Sequence, residues 1–238
     1  AQPDWGAAVH GLVVPTMPAT GDAIAIVTAT VGTTLAPWGL SFIQSYAVDK
    51  KLRTQDLFLE RIDVVTGAVL TGVIGFFVVV ACAATLHRNG RSITDAADAA
   101  VALQPLAGDA ASTLFAVGLI GAALLAASIL PLSTAYSVCD YAGFEAALND
   151  PYRDAKTFYV TFGLVTLLGS VVVMVPGAPL VTILVATQVL NAVLLIPLLF
   201  VMIGIGRDPA LMGAFKMSAA GAVAYGLATA VVLACVAA

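Results

Sequence analysis

Six long apolar stretches follow one another along the chain, at about residues 23–48, 64–86, 110–139, 157–175, 180–205 and 217–237. Each is close to or above the ~20 residues needed to cross a bilayer as a helix. The apolar residues run on continuously and do not alternate with polar ones, so the pattern predicts membrane-spanning helices and not the strands of a barrel. The expected fold is therefore an all-α, polytopic membrane protein with one transmembrane domain over residues 1–238.

The segments between the stretches read as loops. Asp49 to Asp63 carries Lys50, Lys51, Arg53, Asp56, Glu60 and Arg61. His87 to Pro105 opens polar and continues as ITDAADAAVAL, where Asp95 and Asp98 beside Ala, Val and Leu predict a short surface helix capped by Thr94 or Ser92. NDPYRDAK, Val175 to Pro179, and Gly206-Arg207-Asp208-Pro209 all carry turn residues.

Charge gives the orientation. With six spans, Lys50, Lys51, Arg53, Arg61, Arg153, Lys156, Arg207 and Lys216 fall on one side, and only Arg88 and Arg91 on the other. Lys and Arg concentrate on the cytoplasmic side, so residues 1–20 are expected outside, with the first span entering the cytoplasm at Asp49.

Composition narrows the function. Only 10% of residues are charged, against about 25% in soluble domains, and the mean hydropathy is +1.02. The net charge of −4, with no basic block, argues against a nucleic-acid partner. Cys82, Cys139 and Cys235 sit in apolar runs without a CxxC pair and read as small buried hydrophobes. His10 and His87 fall in loops. No nucleophile–base set or metal-ligand cluster points to an enzyme, and no cofactor is expected. The chain begins at Ala1 without a signal-peptide pattern and ends inside an apolar run, which reads as a piece of a longer protein.

Three spans carry features beyond plain hydrophobicity. The first contains VTATVGTTLAPWGLSFIQS, with Gly32, Thr33, Thr34 and Pro37 near its middle. Pro37 removes a backbone donor and disfavours the preceding turn. Such a segment is either a simple proline kink or an unwound stretch of the kind that builds ion sites in secondary transporters. The third places Ser128, Ser133, Thr134 and Ser137 around Pro131, a pattern that suits helix–helix packing. The fifth sets Gln188 and Asn191 three apart on one helix face, able either to bond between helices or to coordinate a cation. Asp22, Asp63, Asp109 and Asp140 all lie near span ends. A hard divalent cation usually takes at least one carboxylate, which would have to come from a part of the protein not present here.

GTTLAPWGLSFIQSYAVDKK (Gly32 to Lys51) resembles the sixth transmembrane helix of the Nramp family, the natural resistance-associated macrophage proteins. AASILPLSTAYSVCDYAGFE (Ala126 to Glu145) resembles the eighth helix of an Nramp-related branch, and DAADAAVALQPLAG (Asp95 to Gly108) fits that branch too. TQVLNAVLLIPLLFVMIGIGRDPALMG (Thr187 to Gly213) is similar to the tenth helix and the loop after it.

The resemblance implies a LeuT-like fold of two inverted five-helix repeats. Helices six to eleven would be present here and the first repeat missing, together with the first-helix Asp-Pro-Gly motif and its acidic ligand. Where typical members carry Met-Pro-His, this chain has Ala36, Pro37 and Trp38. Ala36 removes a soft sulfur ligand suited to manganese and iron, which resembles the Nramp-related magnesium transporters. The absent histidine puts proton coupling in doubt.

By family position, Thr33 through its carbonyl, Ala36 and Gln188 border the ion, with Asn191 a further candidate ligand. Gly32, Thr34 and Pro37 form the helix break, and Trp38 walls the pathway. The function so implied is alternating-access transport of a divalent cation across the plasma (bacterial inner) membrane, with magnesium favoured over manganese. The alternatives are a proton-coupled manganese or iron importer of the same family, a LeuT-fold amino-acid transporter and a non-transporting scaffold. The implied partners are the cation, the lipid bilayer and the missing N-terminal half.

Overall fold

The computed structural model describes residues 3–14, 16, 20–85, 98, 100 and 108–237. Among these residues there are helices and turns and no strand. The helices are α1 (Trp5–Val13), α2 (Gly21–Thr34), α3 (Pro37–Asp49), α4 (Leu57–Thr85), α5 (Ala111–Ala142), α6 (Lys156–Met174), α7 (Leu180–Arg207), α8 (Pro209–Met212) and α9 (Ala219–Ala237). Among the described residues six segments are long and apolar enough to cross a membrane, with α2 and α3 together forming the first. Large apolar side chains on these helices, such as Val65, Leu114, Val117 and Leu167, point outward. A water-soluble domain would bury them; a span presents them to lipid.

Several boundaries differ from the sequence expectation. α4 begins at Leu57, so Glu60, Arg61 and Asp63 are helical and not part of a loop. A turn of 3₁₀ helix at Thr54–Asp56 starts it, with the Asp56 carboxylate accepting from the Arg53 amide at 2.8 Å. Glu60 then sits in the first turn of α4, where the helix dipole favours an acid. α1 was not expected at all, and it makes His10 helical; the Asp4 carboxylate caps it by accepting from the Ala7 amide at 3.0 Å. The turn expected at Gly206 to Pro209 is the end of α7 followed by α8, with Asp208 as cap and Pro209 in the first helical position. The surface helix expected after Thr94, along with His87, Arg88 and Arg91, lies outside the described residues apart from Asp98 and Ala100, both helical.

Other ends follow local chemistry. α5 closes on Gly143 at φ 72°, and the Phe144 amide donates to the Cys139 carbonyl at 2.9 Å, a Schellman closure. Between α6 and α7, Pro176 and Gly177 (φ 76°) occupy the middle of a turn closed by Ala178 N–H to Val175 O at 3.2 Å. Proline followed by a positive-φ glycine is the pattern of a type II turn.

The chain divides into two compact units, Ala1–Thr16 with Ala47–Leu132, and Met17–Tyr46 with Ser133–Ala238. In the first unit, Trp5 of α1 meets Phe77 of α4 edge to face, with ring centroids 6.3 Å apart. In the second unit, α2, α7 and α9 pack against one another. Buried Leu195, Leu199 and Val232 form their core, with Val31, Leu40, Tyr225 and Val236 around it. Two long-range bonds tie this cluster: Tyr225 Oη donates to the Leu199 carbonyl and Thr28 Oγ1 to the Cys235 carbonyl, each at 3.1 Å. An aromatic chain joins α3 to α5 and α6 through Phe42, Tyr136 and Phe158, with centroid separations of 6.2 and 4.9 Å.

Candidate metal centre

α2 ends where its own donors run out. Thr30 and Thr34 turn their hydroxyls back onto the helix, donating to the Ile26 carbonyl at 2.8 Å and the Thr30 carbonyl at 2.7 Å. The Leu35 amide makes a helical bond to the Val31 carbonyl at 3.0 Å, but Leu35 itself leaves the helix at φ −120°, ψ 61°. α3 begins two residues later with Pro37 in its first position, where a fixed φ and a missing N–H cost nothing. The interruption is therefore Leu35 and Ala36.

Its carbonyls differ. The Ala36 carbonyl accepts from the Gly39 amide at 3.0 Å and the Leu40 amide at 3.4 Å, so it is engaged in starting α3. The Thr33 carbonyl would take its helical donor from residue 37, which is proline and has none. The expectation of carbonyls free from Thr33 to Ala36 thus loses Ala36 and keeps Thr33. Thr33 is exposed, whereas Ala36 is buried and offers only a methyl group.

Gly32 settles what the interruption rests on. A side-chain carbon there would collide with the main-chain carbonyl of Gln188 and lie 2.8 Å from the Ala192 nitrogen. Backbone meets backbone, and only glycine permits that approach. The turn of α7 under Gly32 carries both Gln188 and Asn191. These amides are half-buried and bonded to each other, with Asn191 Nδ2 donating to Gln188 Oε1 at 3.1 Å.

Trp38 follows the break. Its main-chain carbonyl accepts from the buried Ser133 hydroxyl at 2.9 Å. Trp38 lines a cavity of about 380 Å³ together with Ser133, Thr134, Ser137, Val138 and Tyr141. Two further bonds continue along the same helices: Ser41 Oγ lies 2.8 Å from Ser137 Oγ, and Ser45 Oγ donates to Asp140 Oδ2 at 2.7 Å. The order Trp38, Ser41, Ser45 pairs with Ser133, Ser137, Asp140, so α3 and the end of α5 run parallel, joined by a polar seam. Ser41 and Ser45 were not singled out from the sequence, and Asp140 was noted there only as an acid near a span end. Their one signal is helical spacing of short polar residues in two otherwise apolar spans. Ser128 takes no part and bonds the Leu124 carbonyl of its own helix at 2.9 Å.

The donor set near the break is neutral: a main-chain carbonyl and two side-chain amides. Among the described residues no three His, Cys, Asp or Glu side chains come together as a metal cluster.

A family model described as natural resistance-associated macrophage protein-like, Nramp, matches residues 1–238. The chain belongs to the Nramp family. It is similar to the divalent metal cation transporter MntH of Yersinia pestis (strain Pestoides F), at 28% identity over 210 residues, covering 84% of this chain and 47% of the relative. The protein of that name from Erwinia tasmaniensis is 27% identical over 221 residues, 90% of this chain and 50% of the relative. That from Klebsiella pneumoniae subsp. pneumoniae is 29% identical over 206 residues, 84% of this chain and 47% of the relative. The chain spans about half the length of these curated relatives. Membership in the Nramp family, with six apolar helices, makes it an all-α integral membrane protein. These relatives are named as transporters, not as enzymes.

Proposed function

We propose that this chain supplies one half of the ion pathway of a divalent metal cation transporter that works by alternating access in the bacterial inner membrane. One observation carries the reading. The membrane helix is interrupted at Leu35 and Ala36, deprives the Thr33 carbonyl of its helical donor, and is seated through Gly32 on the α7 turn that bears Gln188. Interrupted helices of this kind offer main-chain oxygens to ions at mid-membrane. The Thr33 carbonyl and the Gln188 side-chain oxygen would be hard, neutral ligands. A doubly charged ion still calls for a carboxylate, and we assign that role to an acidic residue of a first repeat outside this chain. The relatives' names support the cation class, and the amino-acid alternative has no support among them.

Two readings of the ion remain in competition. Similarity to proteins named divalent metal cation transporter supports the cation class, and within it the family alternative is a proton-coupled importer of manganese or iron. The magnesium preference rests on two departures from the family motif: Ala36, which brings no sulfur and leaves room for an ion that keeps part of its water, and Trp38 in place of the histidine. The names of the relatives above do not choose between the two ions.

The full-length protein in liposomes with a pH dye inside tests both. Manganese uptake with acidification of the lumen establishes the proton-coupled importer. Magnesium uptake without acidification establishes the reading from Ala36. Transport of neither ion overturns the proposal.

A further inference from the structure

We infer that Asn191 acts on the ion through Gln188, as a positioning residue that keeps the Gln188 side-chain oxygen in the ligating orientation. The inference rests on the proposal above that Gln188 borders the cation path.

A glutamine is an ambiguous ligand. Its terminal group carries an oxygen that attracts a cation and, on the other side, an NH₂ that repels one, and rotation about the last bond exchanges them. A site that relies on one glutamine therefore needs something to tell the two ends apart. The Asn191 amide makes that choice a joint one. Its Nδ2 donates to Gln188 Oε1 at 3.1 Å; reversing Gln188 alone would set one NH₂ against another, so the oxygen is withdrawn only if both amides turn together. An amide oxygen has two lone pairs, so after accepting from Asn191 it retains one for a cation. The added bond also polarises the carbonyl toward oxygen.

The rest of the turn is held as well. Gly32 lies against the Gln188 main chain, and Ala192, fully buried beside Asn191, is part of the same contact. Gln188 is thus fixed at its backbone by α2 and at its tip by Asn191. On the outer face of this turn Leu190, Val193 and Leu194 are exposed apolar residues, which offer no substitute donor.

The test is a kinetic cycle on the full-length protein in proteoliposomes, with manganese and magnesium each supplied as substrate. Asn191→Leu is expected to raise KM by about three- to tenfold, the range given by one lost amide hydrogen bond in a membrane protein, with a smaller change in kcat. Asn191→Gln, which keeps an amide donor, should recover much of the loss. In a Gln188→Leu background, Asn191→Leu should add nothing, because a residue acting through Gln188 has nothing left to orient. If leucine at 191 disturbs insertion, Asn191→Ala runs the same cycle. A KM unchanged by loss of the Asn191 amide overturns the inference. So does a further loss in the Gln188→Leu background, which would make Asn191 a ligand itself. Wild-type protein that carries neither ion overturns the transport reading first, and this inference with it.

Discussion

The main chain of Gly32 lies directly against the carbonyl of Gln188, with no space between them for a side-chain carbon. Gly32→Ala must therefore push α2 away from α7 or distort one of them, since both partners are backbone and neither can rotate aside. Overpacking of this kind costs about 1–3 kcal/mol. The melting temperature in detergent should fall by several degrees, and cation affinity should fall with it as Thr33 and Gln188 lose their common footing. Unchanged melting and affinity would show that this close contact is dispensable.

Pro37→Ala should do the opposite. It supplies an N–H four residues after the Thr33 carbonyl and removes the ring that keeps the helix from continuing. We expect α2 and α3 to join, thermal stability to hold or rise, and cation uptake to drop by more than about tenfold as the exposed carbonyl is taken up. Melting curves and initial uptake rates on the same preparations check both halves. Retained transport would detach function from the interruption.

The Ser45 hydroxyl and the Asp140 carboxylate, 2.7 Å apart, should behave as a pair. Ser45→Ala alone should destabilise by about 0.5–2 kcal/mol, the range for interhelical polar contacts in membranes. Asp140→Leu should remove most of that difference, so that the double variant is more stable than the sum of the singles implies. Strict additivity in a thermal double-mutant cycle would mean the bond contributes nothing.

Ala36→Met restores a polarisable sulfur next to the break. Softer ions gain from a thioether and hard ions do not, so the ratio of manganese to magnesium uptake should rise, mainly through KM for manganese. Competition uptake in proteoliposomes reads the ratio directly. An unaltered ratio would remove position 36 from ion selection.

Much of this was legible in the sequence. Six apolar runs revealed the spans because a bilayer demands uninterrupted length, and Pro37 beside Gly32 and two threonines marked the interruption. The start of α4 was misjudged because Glu60, Arg61 and Asp63 look like loop, although charged turns readily extend a helix beyond the apolar region. α1 lacked the length of a span, leaving only Asp4 to announce it. That Gln188 and Asn191 share a face followed from a three-residue spacing; that they bond to each other within α7, and not to another helix, did not. Nor did the seat of Gly32 on that turn, because a glycine in a helix carries no mark of what it touches. Of the seam, Ser133 and Ser137 were legible as packing hydroxyls, but their partners on α3 and the bond of Ser45 to Asp140 were hidden for a related reason: hydroxyl spacing shows a shared face but not the helix opposite.

The seam between α3 and α5 has a consequence for how reversibly each side of the broken helix is held. Its three bonds use hydroxyl donors, and a serine separated from its partner can bond water or a carbonyl one turn back on its own helix, as Ser128 does with Leu124. Parting α3 from α5 exchanges such bonds for equivalents. The grip of Gly32 on α7 has no replacement, because it is close packing and not a set of exchangeable bonds. The two halves of the interrupted span are therefore fastened by unlike means, one by contacts that water can imitate and the other by a fit that it cannot.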